Sequence, residues 1–378
     1  MHKRVRLSPC TRVGLPARSS AGLTGLTGLI LSAWMLAACA PISPTSTSSN
    51  TSTTPARSNS SLSSAAATRI VTDPQLSALL AYQERVYRVA APLMIKNAVL
   101  CKTSARLLLG FTAKNKHSYP AELSRAVENS LKLDERLQVM QVLEGSGAMH
   151  AGVRRGDILV SIQGQPLPQG AQAEPETARM LAPLMKNISE IDVVVMRNGQ
   201  SMKLSVPLTL GCAFALDIGN APHVNAYADD KRIMLTRGML DFLSSDAELA
   251  AVLAHEMAHN VQHHARSMQM SATLSGVIDD LLPLKPELSA FQGSAGIRPM
   301  DEKFDQEADR IALFMLVRAG MDPAIALTTF RKLALYYPAS VANSLTASHP
   351  WTEQRASLML ATLSEIRQKQ TTKKALVP

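Results

Sequence analysis

SDAELAAVLAHEMAHNVQHH, residues 245–264, is the stretch from which the rest of the chain is read. It contains no glycine or proline, and Ser245 followed three residues later by Glu248 forms a capping box that opens a helix. Asp246 and Glu248 then lie at the positive end of the helix dipole, where acids are favoured. His255 and His259 stand four apart, so on a helix both imidazoles share a face and reach one metal ion. Glu256 turns toward the same point without being a ligand. Two neutral imidazoles leave a zinc ion short of protein ligands, and a catalytic zinc keeps an open position whose water has a pKa near about 7. Glu256 is then the candidate general base and acid.

A third protein ligand must come from another element. The next helix reads DEKFDQEADRIALFMLVRAG, residues 301–320, closed by Gly320, with Asp322-Pro323 as a fresh cap and first-turn proline. Asp305 and Glu307 are both candidates, but two residues along a helix they point about 200° apart. From Val224 to Arg355 the chain resembles the HtpX/BepA/Oma-type gluzincin metallopeptidases, the family that includes the CAAX prenyl proteases. The family carries Glu-x-x-Ala-Asp on this helix. Matched through Ala308-Asp309, its ligating glutamate falls on Asp305, one methylene shorter, with Glu307 as the alternative and Asp309 orienting a histidine ligand. One zinc per chain is implied. Ser348-His349-Pro350 and Arg355 resemble the family's His-Pro…Arg motif. That resemblance gives His349 as an inhibitory fourth ligand or a transition-state hydrogen-bond partner, and Arg355 as a stabiliser of oxyanion charge. A capping histidine and a salt-bridged arginine are the plainer reading of the same pair. His263 and His264 are read as following the motif on the same helix, around the site or at the surface. Residues 225–228 and 232–236 read as a hairpin beside the cleft, whose edge can hold an extended substrate.

Between the amino end and this region lies LQVMQVLEGSGAMHAGVRRGDILVSIQGQPL, residues 137–167, with glycines punctuating short apolar strands. Further on, Asn198-Gly199 joins two strands, the second alternating Met202, Leu204, Val206 and Leu208, which is a strong hairpin signal. The region from about 116 to 210 resembles a PDZ domain of the bacterial HtrA type, which implies binding of extended peptides at a sheet edge. Gly147 stands where that family has proline, and no clear glycine-hydrophobic carboxylate loop precedes the module.

The amino end carries an address. Basic residues up to Arg18 lead into the apolar run 21–38, and Leu36-Ala37-Ala38-Cys39 resembles a bacterial lipobox, which implies a diacylated Cys39. With Ala40 next, the resemblance places the protein on the outer membrane facing the periplasm, held through the lipid alone. Residues 41–68 are nearly all Ser, Thr, Pro, Ala and Asn and read as a disordered tether. Of four cysteines, Cys101 and Cys212 remain, a matched pair for one disulfide in an oxidising compartment. The net charge of +9 owes five positive charges to residues 1–38, so the remainder carries only +4. With aromatics at 4%, no base-stacking platform or polyanion surface is expected, and nucleic acid is excluded as a partner.

The expected architecture is α+β: a mainly helical zincin-like peptidase domain with a small hairpin or sheet, plus an inserted β-rich PDZ domain. The expected divisions are a signal (1–38), a tether (39–68), an N-terminal helical segment (69–115), the PDZ domain (116–210), the peptidase domain (211–366) and a tail (367–378). The expected function is zinc-dependent hydrolysis of misfolded or unassembled envelope proteins, with outer-membrane assembly machinery as a further partner class. The competing class is a weakly active or inactive adaptor or chaperone that binds envelope proteins through its PDZ domain and cleft.

Overall fold

The computed structural model describes residues 73–119, 123–185, 188–267 and 299–378. The expected signal, Cys39 and the tether lie outside the described residues. None of the described helices is long and apolar enough to cross a membrane.

Helix α1 (Asp73–Lys96) leads to two short strands, β1 (Ala105–Leu108) and β2 (Phe111–Lys114). Then follow β3 (Gln138–Val142), β4 (Ile158–Ile162), β5 (Gln165–Pro166), helix α2 (Ala173–Leu184), β6 (Glu190–Arg197) and β7 (Gln200–Pro207). These strands make one antiparallel sheet in the order β2-β3-β4-β6-β7, with β5 paired to β4. At the β6–β7 turn Asn198 and Gly199 both take positive φ, 51° and 77°, the primed turn whose twist suits a tight hairpin. Gly147 is fixed by contact: a Cβ there would sit 1.9 Å from the carbonyl oxygen of Pro207. The proline usual in the PDZ family therefore has no room while β7 ends against this turn.

Two expectations on boundaries are corrected here. The segment 69–115 is helical only to Lys96, and β2, at 111–114, is already an edge strand of the PDZ sheet. Leu109-Gly110-Phe111, with Gly110 at φ 80°, leads into it and was missed because it precedes the expected start at 116.

The chain returns through β8 (Thr209–Cys212), which pairs antiparallel with β1. Cys212 stands opposite Ala105 in that ladder, and the disulfide Cys101–Cys212 ties the two ends of the insertion together. Strands β9 (Ala215–Gly219), β10 (Ala226–Ala228) and β11 (Arg232–Thr236) form a second sheet in the order β10-β11-β9, antiparallel and then parallel. Helices α3 (Arg237–Phe242), α4 (Asp246–Gln262), α5 (Glu302–Arg318), α6 (Ala324–Tyr336) and α7 (Glu353–Thr371) complete the fold.

Two main cores result. The PDZ core collects Val139, Leu159, Ile162, Ile191, Val193 and Val195 among others. The peptidase core is built round α4, every residue of which from Leu249 to Val261 is buried. A helix apolar all round is one that neighbours enclose, and α4 packs among α1, α5, α6 and β10. Each large side chain buried there contributes roughly 1.5–3 kcal/mol, so the position of α4 is held from all sides.

Candidate metal centre

The buried helix carries four polar residues, His255, Glu256, His259 and Asn260, that a core tolerates only if they find partners. His255, Glu256 and His259 are each no more than 1% exposed. His255 Nε2 and His259 Nε2 lie 3.0 Å apart, both turned to the start of α5. That helix is capped by Asp301, whose side chain accepts from the backbone of Lys303, and its first turn presents Asp305. Asp305 Oδ1 lies 3.4 Å from His259 Nε2 and 3.9 Å from His255 Nε2.

A fourth group arrives from the segment after α6. Ser344 caps a short helix at Leu345–Ser348, and hydrogen bonds from Leu345 N to Val224 O (2.9 Å) and Met300 N to Ser348 O (2.6 Å) tie it down. This sets His349 in the cavity with Nδ1 2.7 Å from Asp305 Oδ1. One ligand atom from each of His255, His259, Asp305 and His349 lies within 4.8 Å of the others, all four residues being buried. Nitrogen and carboxylate donors in this number suit a zinc-sized divalent ion.

The charge states agree with that use. Burial pushes the His259 imidazole well below its usual pKa, against the pull of Asp305, so the ring is neutral and its lone pair free. Burial alone would raise Asp305, but the charge of His349, hydrogen bonds to His259 and His349, and Arg355 together hold it well below the usual range. Glu256 goes the other way: burial raises its pKa, only partly offset by His349 and His255. Neither of its carboxylate oxygens has a hydrogen-bond partner. A buried carboxylate left unpaired is expensive, and marks a place where a ligand or substrate completes the site.

A second layer holds these groups in place. Asp309, one turn beyond Asp305, puts Oδ1 3.0 Å from His255 Nδ1, close enough to fix the ring though off the line of an ideal hydrogen bond. Arg355 donates from Nε and its second guanidinium nitrogen to both oxygens of Asp309, each at 2.8 Å. Its remaining nitrogen reaches Asp305 Oδ2 (3.3 Å) and the carbonyls of His349 and Pro350. With 1% exposure and these donors engaged, Arg355 does not present a guanidinium to a developing oxyanion; it positions Asp305 and Asp309. That replaces the oxyanion role expected for it.

Glu307 is elsewhere. Its side chain bonds Gln262 and is 45% exposed, and it takes no part in the four-residue cluster. His263 and His264 are not on α4, since His263 takes a left-handed φ of 56° and ends the helix. His264 starts the next short helix, stacks on Phe304 at 4.4 Å, and puts Nδ1 2.9 Å from His259 Nδ1. Two ring nitrogens face to face need one proton between them. If His259 keeps Nε2 free for a metal, its Nδ1–H donates to His264, whose own proton sits on Nε2, 3.5 Å from Glu307 Oε2. Sequence spacing could not find this contact, because the left-handed break at His263 creates it. Phe330, with its ring centroid 4.9 Å from that of His255, was missed for the same kind of reason: nothing local marks it.

The hairpin over the site matches the expected ranges, and α4 holds its tip. Asn260 accepts from Asp230 N (2.6 Å) and donates to Arg232 O (3.0 Å). The sheet gains a third strand, β9, that was not expected.

Comparison with known proteins agrees with this organisation. Residues 199–362 match the sequence pattern of peptidase family M48, and residues 138–184 that of a PDZ domain. Over 153 residues the chain is 29% identical to a mitochondrial metalloendopeptidase OMA1 of Arabidopsis thaliana, a stretch covering 39% of this chain and 31% of that protein. The chain thus matches about a third of the length of that curated relative. A crystal structure of the HtrA3 PDZ domain bound to a phage-derived ligand (FGRWV) aligns with 28% of this chain and 88% of its own, at 18% identity and a TM-score of 0.21. Residues 199–362 are thus similar to peptidase family M48, and residues 138–184 to a PDZ domain.

Proposed function

We propose that the protein is a zinc metalloendopeptidase, with one zinc per chain on His255, His259 and Asp305. The observation that carries this is Glu256, buried beside that cluster with both carboxylate oxygens unpartnered. A zinc ion there supplies Lewis-acid polarisation of a scissile carbonyl and acidifies water. Glu256 takes the proton of the attacking water and returns it to the amine as the C–N bond breaks. Asp309 and Arg355 hold His255 and Asp305 in place for this, and the exclusion of water round α4 strengthens each of these interactions. The test is zinc content after purification, followed by casein hydrolysis. Wild type is expected to hydrolyse casein, and Glu256→Gln to keep its zinc while losing at least about a hundredfold in rate. A wild type that binds no zinc overturns the reading.

His349 favours a second reading. It completes a four-residue set, and a metal held by four protein ligands has no open position. An adaptor or chaperone whose hydrolysis is weak or absent fits that arrangement, and a zinc-loaded but inert wild type would support it. Activity gained in His349→Ala would instead mark His349 as a group that withdraws during turnover.

The substrate class proposed is misfolded or unassembled envelope polypeptide, met at the periplasmic face of the outer membrane, with the chain anchored by acylated Cys39. The lipobox-like Leu36–Cys39 motivates this. Cys39→Ser should then remain unprocessed or appear in the soluble fraction; retention of a wild type with residues 1–38 uncleaved argues for a transmembrane anchor.

A further inference from the structure

His255 and His259 turn Nε2 toward the cluster and Nδ1 away from it. Behind His255 stands Asp309. Behind His259 stands His264, 2% exposed, its Nδ1 2.9 Å from His259 Nδ1. The His264 ring is clamped from two further sides, both by α5. Phe304, the residue before Asp305, stacks on it with centroids 4.4 Å apart and planes 23° from parallel. Glu307 Oε2, two residues beyond Asp305, lies 3.5 Å from its Nε2. One turn of α5 thus acts on the cluster by two routes, directly through Asp305 and through the ring of His264. That ring is not a ligand itself: it meets the far side of His259 and stands outside the four-residue set.

We infer that His264 is a positioning residue of the metal centre, which accepts the Nδ1–H of His259 and so keeps Nε2 of that ring as a lone pair aimed at zinc. The opposite proton placement, with His264 donating from Nδ1, would put the His259 proton on Nε2 and turn a ligand into a donor. A free imidazole must find the right tautomer and ring angle as the metal arrives, whereas a ring held by a fixed acceptor has both in advance. Partners of this kind change metal affinity by about 10–100-fold. The inference rests on the zinc reading and adds a residue that neither touches the metal nor takes part in proton transfer to substrate.

The test is the zinc affinity of the full-length chain, measured by competition with a chromophoric chelator. His264→Asn puts an amide oxygen where Nδ1 stood, His264→Gln puts one near the Nε2 position, and His264→Leu has no acceptor. His264→Leu and His264→Gln should weaken zinc binding by about 10–100-fold, while His264→Asn should stay close to wild type. A residue that only fills space would not separate His264→Asn from His264→Gln in this order, and that pair decides the matter even where His264→Leu fails to fold. Equal affinity in all variants, His264→Gln as tight as wild type, or His264→Asn as weak as His264→Leu overturns the inference and leaves the zinc reading standing. A wild type that binds no zinc overturns both. The expected order of affinities in a chain that hydrolyses no casein would strike the peptidase reading alone.

Discussion

Asp305 meets four neighbours at once: His349 at 2.7 Å, Arg355 at 3.3 Å, His259 at 3.4 Å and His255 at 3.9 Å. A carboxylate one methylene shorter than glutamate can serve there because α5 brings its first turn hard against α4. If it is the third ligand, Asp305→Ala should drop zinc from one per chain to near zero and remove activity with it. Asp305→Glu should retain metal. Glu307→Ala should also retain zinc, since among the described residues its carboxylate reaches Gln262 and His264 and not the cluster. Metal analysis of the three variants decides this, and zinc kept by Asp305→Ala but lost from Glu307→Ala would reverse the assignment. Asp309→Ala acts one step further out; loosening His255 should weaken zinc affinity by roughly 10–100-fold.

At the level of elements, the start of α4 shows what a capping pattern does and does not specify. Ser245 accepts from Glu248 N at 3.2 Å, as the box requires. The return bond goes one residue upstream, from Ser244 N to Glu248 Oε2 at 2.8 Å, because Glu248 is also drawn to Lys332 on α6 at 2.9 Å. Burial raises the pKa of Glu248, but Lys332 and Ser244 outweigh it, so the folded value is lowered. A lowered acid stabilises the fold fully above its unfolded pKa, near about 4.3, and loses that contribution as pH falls through the folded value. Glu248→Gln should therefore cost about 1 kcal/mol at neutral pH and little at pH 2–3, which urea midpoints across that range would reveal. An equal loss at both ends would show that the carboxylate charge is not what matters.

Over the whole molecule, the disulfide and the β1–β8 ladder make the stem from which the PDZ domain projects. Cys101 and Cys212 are both buried in the peptidase core, 111 residues apart in sequence. Closing a loop of that length stabilises by roughly 2–5 kcal/mol, the mechanism being model-dependent. The Cys101→Ala/Cys212→Ala double variant should lose that amount in denaturant titration. Thiol labelling of unfolded, unreduced wild type should leave both residues unmodified; label on either would remove the bridge.

Local pattern alone determined α4 and its two histidines, the turn at Asn198-Gly199 and the cap at Ser245, while the pairing of an α+β core with a β-rich insertion came from family resemblance. Each of the local features depends on residues within a few positions of one another, where helix and strand periodicity act directly. Asp305 was reached only by matching a family pattern, and Glu307 stayed open because a helix of unknown depth could turn either carboxylate inward. The fourth position of the cluster, the commitment of Arg355 to Asp309, the meeting of His264 with His259 and the start of the PDZ sheet at 111 were decided by tertiary structure. They arise where α4, α5 and the segment at 345–355 come to one point, or where a single left-handed residue redirects the chain. Such contacts join residues as many as 94 positions apart, as His255 and His349 are, and no spacing rule reaches that far.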